Sequence, residues 1–111
     1  MSQIRVDILL PLYYNPDLNG TRREIEDQKF SDTYDELIFH FGGYSMEKDT
    51  VRGEWISDET GLRIDDELRN LWVICEDKPA HIDFLVLLKE RLMERFDQEE
   101  ILMFYNSVKR F

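Results

Sequence analysis

Two segments of this chain carry apolar groups at helical spacing, and each is flanked by runs with the length or alternation of strands. That succession constrains the fold more than anything else in the sequence. Phe30, Tyr34, Leu37, Ile38 and Phe41 recur at offsets that share one face of an α-helix, and Gly42-Gly43 follows as a stop. A helix is therefore predicted over 28–41. Ile82, Leu85, Leu88, Leu92 and Phe96 form the second stripe. It opens at Asp77-Lys78-Pro79, where proline suits a first helical turn, and ends at Asp97-Gln98-Glu99.

The strands read differently. Ile4, Val6, Ile8, Leu10 and Leu12 alternate around Arg5 and Asp7, with Pro11 near the end, where a missing N–H is least damaging. Tyr13 to Thr21 is a long loop built on Asn15-Pro16-Asp17 and Asn19-Gly20. Beside it Arg22 and Arg23 are expected to pair with neighbouring acids such as Glu24 or Glu26. Tyr44 to Ile56 is strand-like around a polar middle, Glu47-Lys48-Asp49-Thr50. A turn over 57–61 ends in glycine and leads to a partner strand, Leu62 to Cys75, with an acidic interruption at Asp65-Asp66-Glu67. Ile101 to Val108 is the last strand.

The order β-α-β-β-α-β over 1–111 predicts a single α+β domain. Right-handed crossovers around a central hairpin give a ferredoxin-like βαββαβ sandwich. Its four-stranded antiparallel sheet has the order 4-1-3-2, with both helices on one face. Leu10-Pro11-Leu12, Phe41-Gly42-Gly43-Tyr44, Gly53-x-Trp55 and Phe96-x-Gln98-Glu99-Glu100, taken together, resemble a group of small uncharacterised microbial proteins of ferredoxin-like fold. The resemblance implies the fold and carries over no catalytic residue.

Charge excludes some partners. The 14 basic and 24 acidic residues are spread so that each half of the chain carries −5 of the net −10. Such a surface repels phosphate backbones and anionic membranes, so direct nucleic-acid binding and membrane association are not expected. The first residues start a strand pattern at once, unlike a signal peptide, which points to the cytoplasm. Both parities of the strands carry apolar or aromatic groups, so both faces of the sheet read as apolar. A sheet face left uncovered by helices then predicts a partner, most simply a second copy packed sheet to sheet as a homodimer.

Candidate functional residues are few. Tyr44, Trp55, Trp72 and Tyr105 sit on strands or at strand ends, where aromatic groups line a ligand cleft or anchor a dimer face. His40 and His81 are the weak catalytic candidates, since two histidines without a third nitrogen or sulfur ligand make no zinc set. Asp65-Asp66-Glu67 reads as a solvated bend of an acidic chain, with no metal expected. Cys75 lies in the apolar run 71–75 and reads as a small core residue. No phosphate loop, nucleophile elbow or dinucleotide fingerprint is present, and no cofactor is expected.

These features favour a non-catalytic binding or interaction module, homodimeric, with or without a small-molecule cleft. The same residues leave two alternatives. One is a dimeric α+β barrel enzyme that transfers a proton in an aromatic-lined cavity. The other is an acidic regulator that occludes a basic, nucleic-acid-binding partner.

Overall fold

The computed structural model of the protein describes residues 2–111. Its elements run β1 (Gln3–Pro11), α1 (Asp27–Phe41), β2 (Ser45–Met46), β3 (Val51–Ile56), β4 (Arg63–Glu76), α2 (Pro79–Arg95) and β5 (Leu102–Val108). All strands lie in one antiparallel sheet of order β2-β4-β1-β5, with β3 also paired to β4.

The expected four strands in order 4-1-3-2 are thus corrected to five. The polar segment Glu47–Thr50 leaves the ladder, so what reads as one strand becomes β2 and β3. Both pair with β4. Leu68 is opposite Pro11 on one side and Val51 on the other, which places β3 on the edge of β4 away from β1. The acidic run at Asp65-Asp66-Glu67 does not interrupt β4. Its residues pair in register with Glu54, Gly53 and Arg52, so ladder hydrogen bonds offset the poor strand propensity of aspartate.

The helices cover one face. Ile4, Val6, Ile8 and Leu10 of β1 join Leu71, Val73 and Cys75 of β4 in a core with Phe30, Leu37, Leu85, Leu88, Leu92 and Phe96. Phe30 meets Phe96 edge-on at 5.2 Å, which locks α1 to the end of α2. The α2 stripe packs as its spacing predicts. The α1 stripe is rotated from expectation: Thr33 is fully buried, whereas Ile38 is 49% exposed. Thr33 is accommodated because its hydroxyl donates to the Lys29 carbonyl at 2.8 Å and accepts from Arg95 of α2 at 2.9 Å.

α1 stops where Gly42 takes a left-handed conformation, φ 84°, and its N–H bonds to the Ile38 carbonyl. The long loop after β1 folds back on itself. Tyr13 bridges Glu24, and the Asp17 carboxylate accepts from the N–H groups of Asn19 and Thr21.

β4 runs well past the end of β1, so its first residues have a strand neighbour only in β3. The β3–β4 hairpin therefore projects as an arm, and the molecule measures 50 × 26 × 26 Å. No helix among the described residues is long and apolar enough to cross a membrane.

Candidate functional site

The sheet face away from the helices has two different halves. Near the start of β1, Asp7 is buried under Arg5, whose guanidinium donates to it at 3.0 Å, reaches Glu47 at 3.4 Å and stacks over Trp72 at 4.4 Å. Those ion pairs, largely through the hydrogen bond to Asp7, hold the Arg5 pKa above its ordinary value. The expectation of a wholly apolar face is corrected here. The guanidinium that covers Asp7 offsets the cost of burying its carboxylate.

The other half is apolar and concave. A cleft of about 540 Å³ opens there, lined by Leu9, Pro11, Val51, Trp55, Leu68 and Leu102. Register explains the grouping. Leu9, Pro11, Leu68, Val51 and Leu102 are cross-strand neighbours on one face, and Trp55 continues the row two residues beyond Gly53. Gly53 lacks a side chain to fill the space, and a Cβ placed on it would meet nothing within 4 Å.

The cleft exists because the arm bends over the face and is tied down. After α2, Asp97 adopts a left-handed turn, φ 51°, which aspartate tolerates. The side chain of buried Gln98 then closes the turn by donating to the Phe96 carbonyl at 3.0 Å. Glu99 is thereby aimed at the arm's tip. Its Oε1 accepts from the Ser57 hydroxyl at 3.1 Å and the Glu59 N–H at 2.9 Å. The hairpin on one edge of the sheet therefore touches the segment entering β5 on the other.

Among the described residues five carboxylates line this cleft, Glu54, Asp58, Asp66, Glu99 and Glu100, and no lysine or arginine does. Three have cations of their own from outside it. Asp66 takes Arg22 at 3.0 Å, Glu100 takes Lys89 at 2.7 Å, and Glu54 takes Arg63. The hydrogen bond from Lys89 holds the Glu100 carboxyl below its ordinary range. Among the described residues Asp58 and Glu99 have no cation, and Glu99 Oε2 is buried without any hydrogen-bond partner.

The expected site residues divide. Trp55 lines the cleft, with its indole N–H donating to Asp66 at 2.6 Å. Trp72 shares the face but lies in its polar half under Arg5. Tyr44 is on the helix side, stacked on Tyr34 at 4.9 Å, and burial raises its phenol pKa. Tyr105 is opposite Val6 on β5, also on the helix side, and is 53% exposed. Arg22 pairs with Asp66 across the chain, whereas Arg23 pairs with Glu26, as its neighbourhood predicts.

The histidines do come together, with ring centroids 5.5 Å apart, but away from the cleft. His40 lies flat on Phe84 at 3.7 Å, and its Nε2 is buried without a partner. Burial, then the charges of His81 and Lys78, lower its pKa and favour the neutral ring. His81 Nδ1 is 2.8 Å from the Glu76 carbonyl. No nucleophile joins them. Cys75 is buried in the core, and burial raises its thiol pKa, as do Asp77 and Glu76 beside it. Among the described residues no three acids, histidines or cysteines are grouped to hold a metal ion.

Glu99 and Gln98 carry the site and escaped sequence reasoning. The only signal is their position: a polar triplet between a helix and an apolar strand, which reads as a plain helix stop. Comparison with known protein families and with curated proteins finds no match for this sequence.

Proposed function

We propose that the chain is a cytoplasmic, non-catalytic binding module of ferredoxin-like architecture that holds a small apolar molecule with a cationic head. The observation that carries this reading is the pairing of an apolar cleft floor with a wall of carboxylates that no cleft-lining base offsets. Apolar area gives a ligand most of its affinity, and a few fixed polar groups set its orientation. Glu99, which lines the cleft and has no cation of its own among the described residues, is the acceptor for an ammonium or a cationic N–H, and Trp55 offers the flat apolar wall. The histidines lie outside the cleft, which favours binding over proton transfer. The ferredoxin-like assignment rests on topology: β2 and β3 share one edge of β4, so the sheet positions run β5, β1, β4 and then the broken edge strand.

The test uses tryptamine and indole-3-acetate, which share an indole body and differ in head-group charge. The Trp55 indole N–H resonance reports binding. Tryptamine should shift it and indole-3-acetate should not, and Glu99→Gln should weaken tryptamine several-fold. Equal response to both compounds, or to neither, removes the reading.

A second copy packed face to face is favoured by one observation. Leu102 and Phe104 stand on the open face, 53% and 44% exposed. Such a dimer covers the cleft, so tryptamine affinity would then rise on dilution to monomer.

A further inference from the structure

The two edges of the sheet are built differently. On the outer side of β4 the edge is broken at Glu47–Thr50, is only two residues long in β2, and carries Arg52 and Glu54 in β3. Short strands, interruptions and charges are the devices that stop an edge from pairing with another chain. The opposite edge, β5, has none of them. Leu102–Val108 is continuous and uncharged. Among the described residues its backbone bonds to no segment other than β1. Leu102 and Phe104 on one side of it and Tyr105 on the other are about half exposed. Its outer N–H and C=O groups form an open template for a further strand.

The charges at its ends select which strand. Glu99-Glu100 precede β5 and Lys109-Arg110 follow it. Both bases are exposed, and neither forms an ion pair among the described residues. A chain of net charge −10 repels its own copy in most orientations, so contact between copies needs local charges that offset one another. Antiparallel pairing about a two-fold axis sets one residue opposite itself. With Phe104 at that centre Glu99 would lie opposite Lys109, but the Glu99 carboxylate is turned to Ser57 and Glu59 of the arm. With Tyr105 there, Glu100 lies opposite Arg110. This second register meets acid with base, the symmetry repeats the contact at the other end, and an aromatic pair sits at the middle.

We propose that β5 is a self-pairing edge through which two copies of this chain join antiparallel into one continuous sheet. The contact does not cover the open face, so it holds whether or not the cleft takes a ligand. The occupant is a second copy because the strand is complementary to itself in charge, shape and length.

Sedimentation of the full chain at micromolar concentration tests this with two variants, each checked for fold by circular dichroism. K109E/R110E alters exposed side chains without partners and should leave the fold intact. E100K gives up a surface pair with Lys89 and the bond its carboxylate accepts from the Ile101 N–H at the cleft rim. The unmodified chain should be dimeric. Each variant alone should dissociate about tenfold more readily, since like charges then face each other twice. The two variants mixed should recover the dimer as a heterodimer, because each now supplies the charge the other lacks. A monomeric unmodified chain overturns the proposal. So does a dimer that K109E/R110E leaves unchanged, which would place the contact on the sheet face instead. Failure of the mixture to recover overturns it as well, since a merely damaged fold would not be rescued in trans.

Discussion

Asp66 fixes the orientation of Trp55: the indole N–H donates to one carboxylate oxygen at 2.6 Å, while Arg22 binds the other at 3.0 Å. The carboxylate is 9% exposed, so it exchanges its hydration for these two donors. Arg22 also donates to the Tyr14 carbonyl at 2.9 Å and to the Asp65 carbonyl. One acid thus joins the loop after β1, the arm and the cleft wall.

Replacing Asp66 with alanine leaves a guanidinium and an indole N–H without their acceptor. We expect a loss of about 3 kcal/mol in urea unfolding, the magnitude typical of breaking a largely buried charge pair. Asparagine keeps an acceptor for the indole but not the charge opposite Arg22, and should lose about half as much. Tryptamine affinity should fall in both variants, because the Trp55 ring is no longer held.

Glu99 ties the arm across the face, so Glu99→Ala should free the arm's tip before it affects the core. Hydrogen exchange at the Glu59 amide, which bonds to Glu99 at 2.9 Å, should accelerate by an order of magnitude or more. Amides of β1 opposite β4 should be unchanged.

The two adjacent glycines after α1 separate backbone strain from crowding. A Cβ at either position meets nothing within 4 Å, but only Gly42 has a positive φ, at 84°. Gly42→Ala should therefore cost about 1 kcal/mol from left-handed strain. Gly43→Ala should be neutral or stabilise by about 0.5 kcal/mol, through a less flexible unfolded chain. Thermal unfolding of the two variants checks the contrast.

His40 makes stability sensitive to acid. Its folded pKa lies below the ordinary 6.5, mainly through burial, so the unfolded chain takes up its proton first as pH falls. Above pH 6.5 both states are neutral and the residue adds no pH dependence. Between 6.5 and the lowered folded value, stability drops as pH drops. His40→Phe, which keeps the flat contact with Phe84, should remove that part of the decline while the plateau above pH 6.5 stays level. Urea midpoints measured from about pH 7.5 down to about pH 5 would show it.

Side by side on α2, Leu88 and Leu87 should respond differently to truncation. Leu88 is fully buried in the core and Leu87 is 51% exposed. Leu88→Ala should cost about 3 kcal/mol, whereas Leu87→Ala should stay within about 0.5 kcal/mol, by urea unfolding.

Much of the architecture was legible because periodicity reports burial directly. Ile4, Val6, Ile8 and Leu10 announce β1, and Leu85, Leu88, Leu92 and Phe96 announce the inner face of α2; all are buried as expected. What periodicity could not show is where a polar residue finds its partner. Thr33 replaces Ile38 in the core because Lys29 and Arg95 supply its hydrogen bonds, one of them from 62 residues away. Asp65 and Asp66 stay in β4 because β3 and Arg22 meet them there. The site was half legible for the same reason. Trp55 stands out by its size, but the carboxylate that faces its cleft comes from Glu99, which only the bent arm brings near.

That arm also decides which part of the molecule breathes. The first residues of β4 have a strand on one side only; apart from one backbone bond, from the Leu12 N–H to the Glu67 carbonyl, their other side is held by Arg22 and the tip by Glu99, both through side chains. Side-chain ties loosen more readily than a ladder of backbone bonds, so this half of the sheet opens at a lower free-energy cost than the half that rests on both helices. A molecule seated in the cleft would touch both the arm and the segment it closes on. Its affinity would therefore include the work of latching them, and its release would wait on their parting. Residence time is then set by the tie between Glu99 and the arm's tip as well as by the contacts made within.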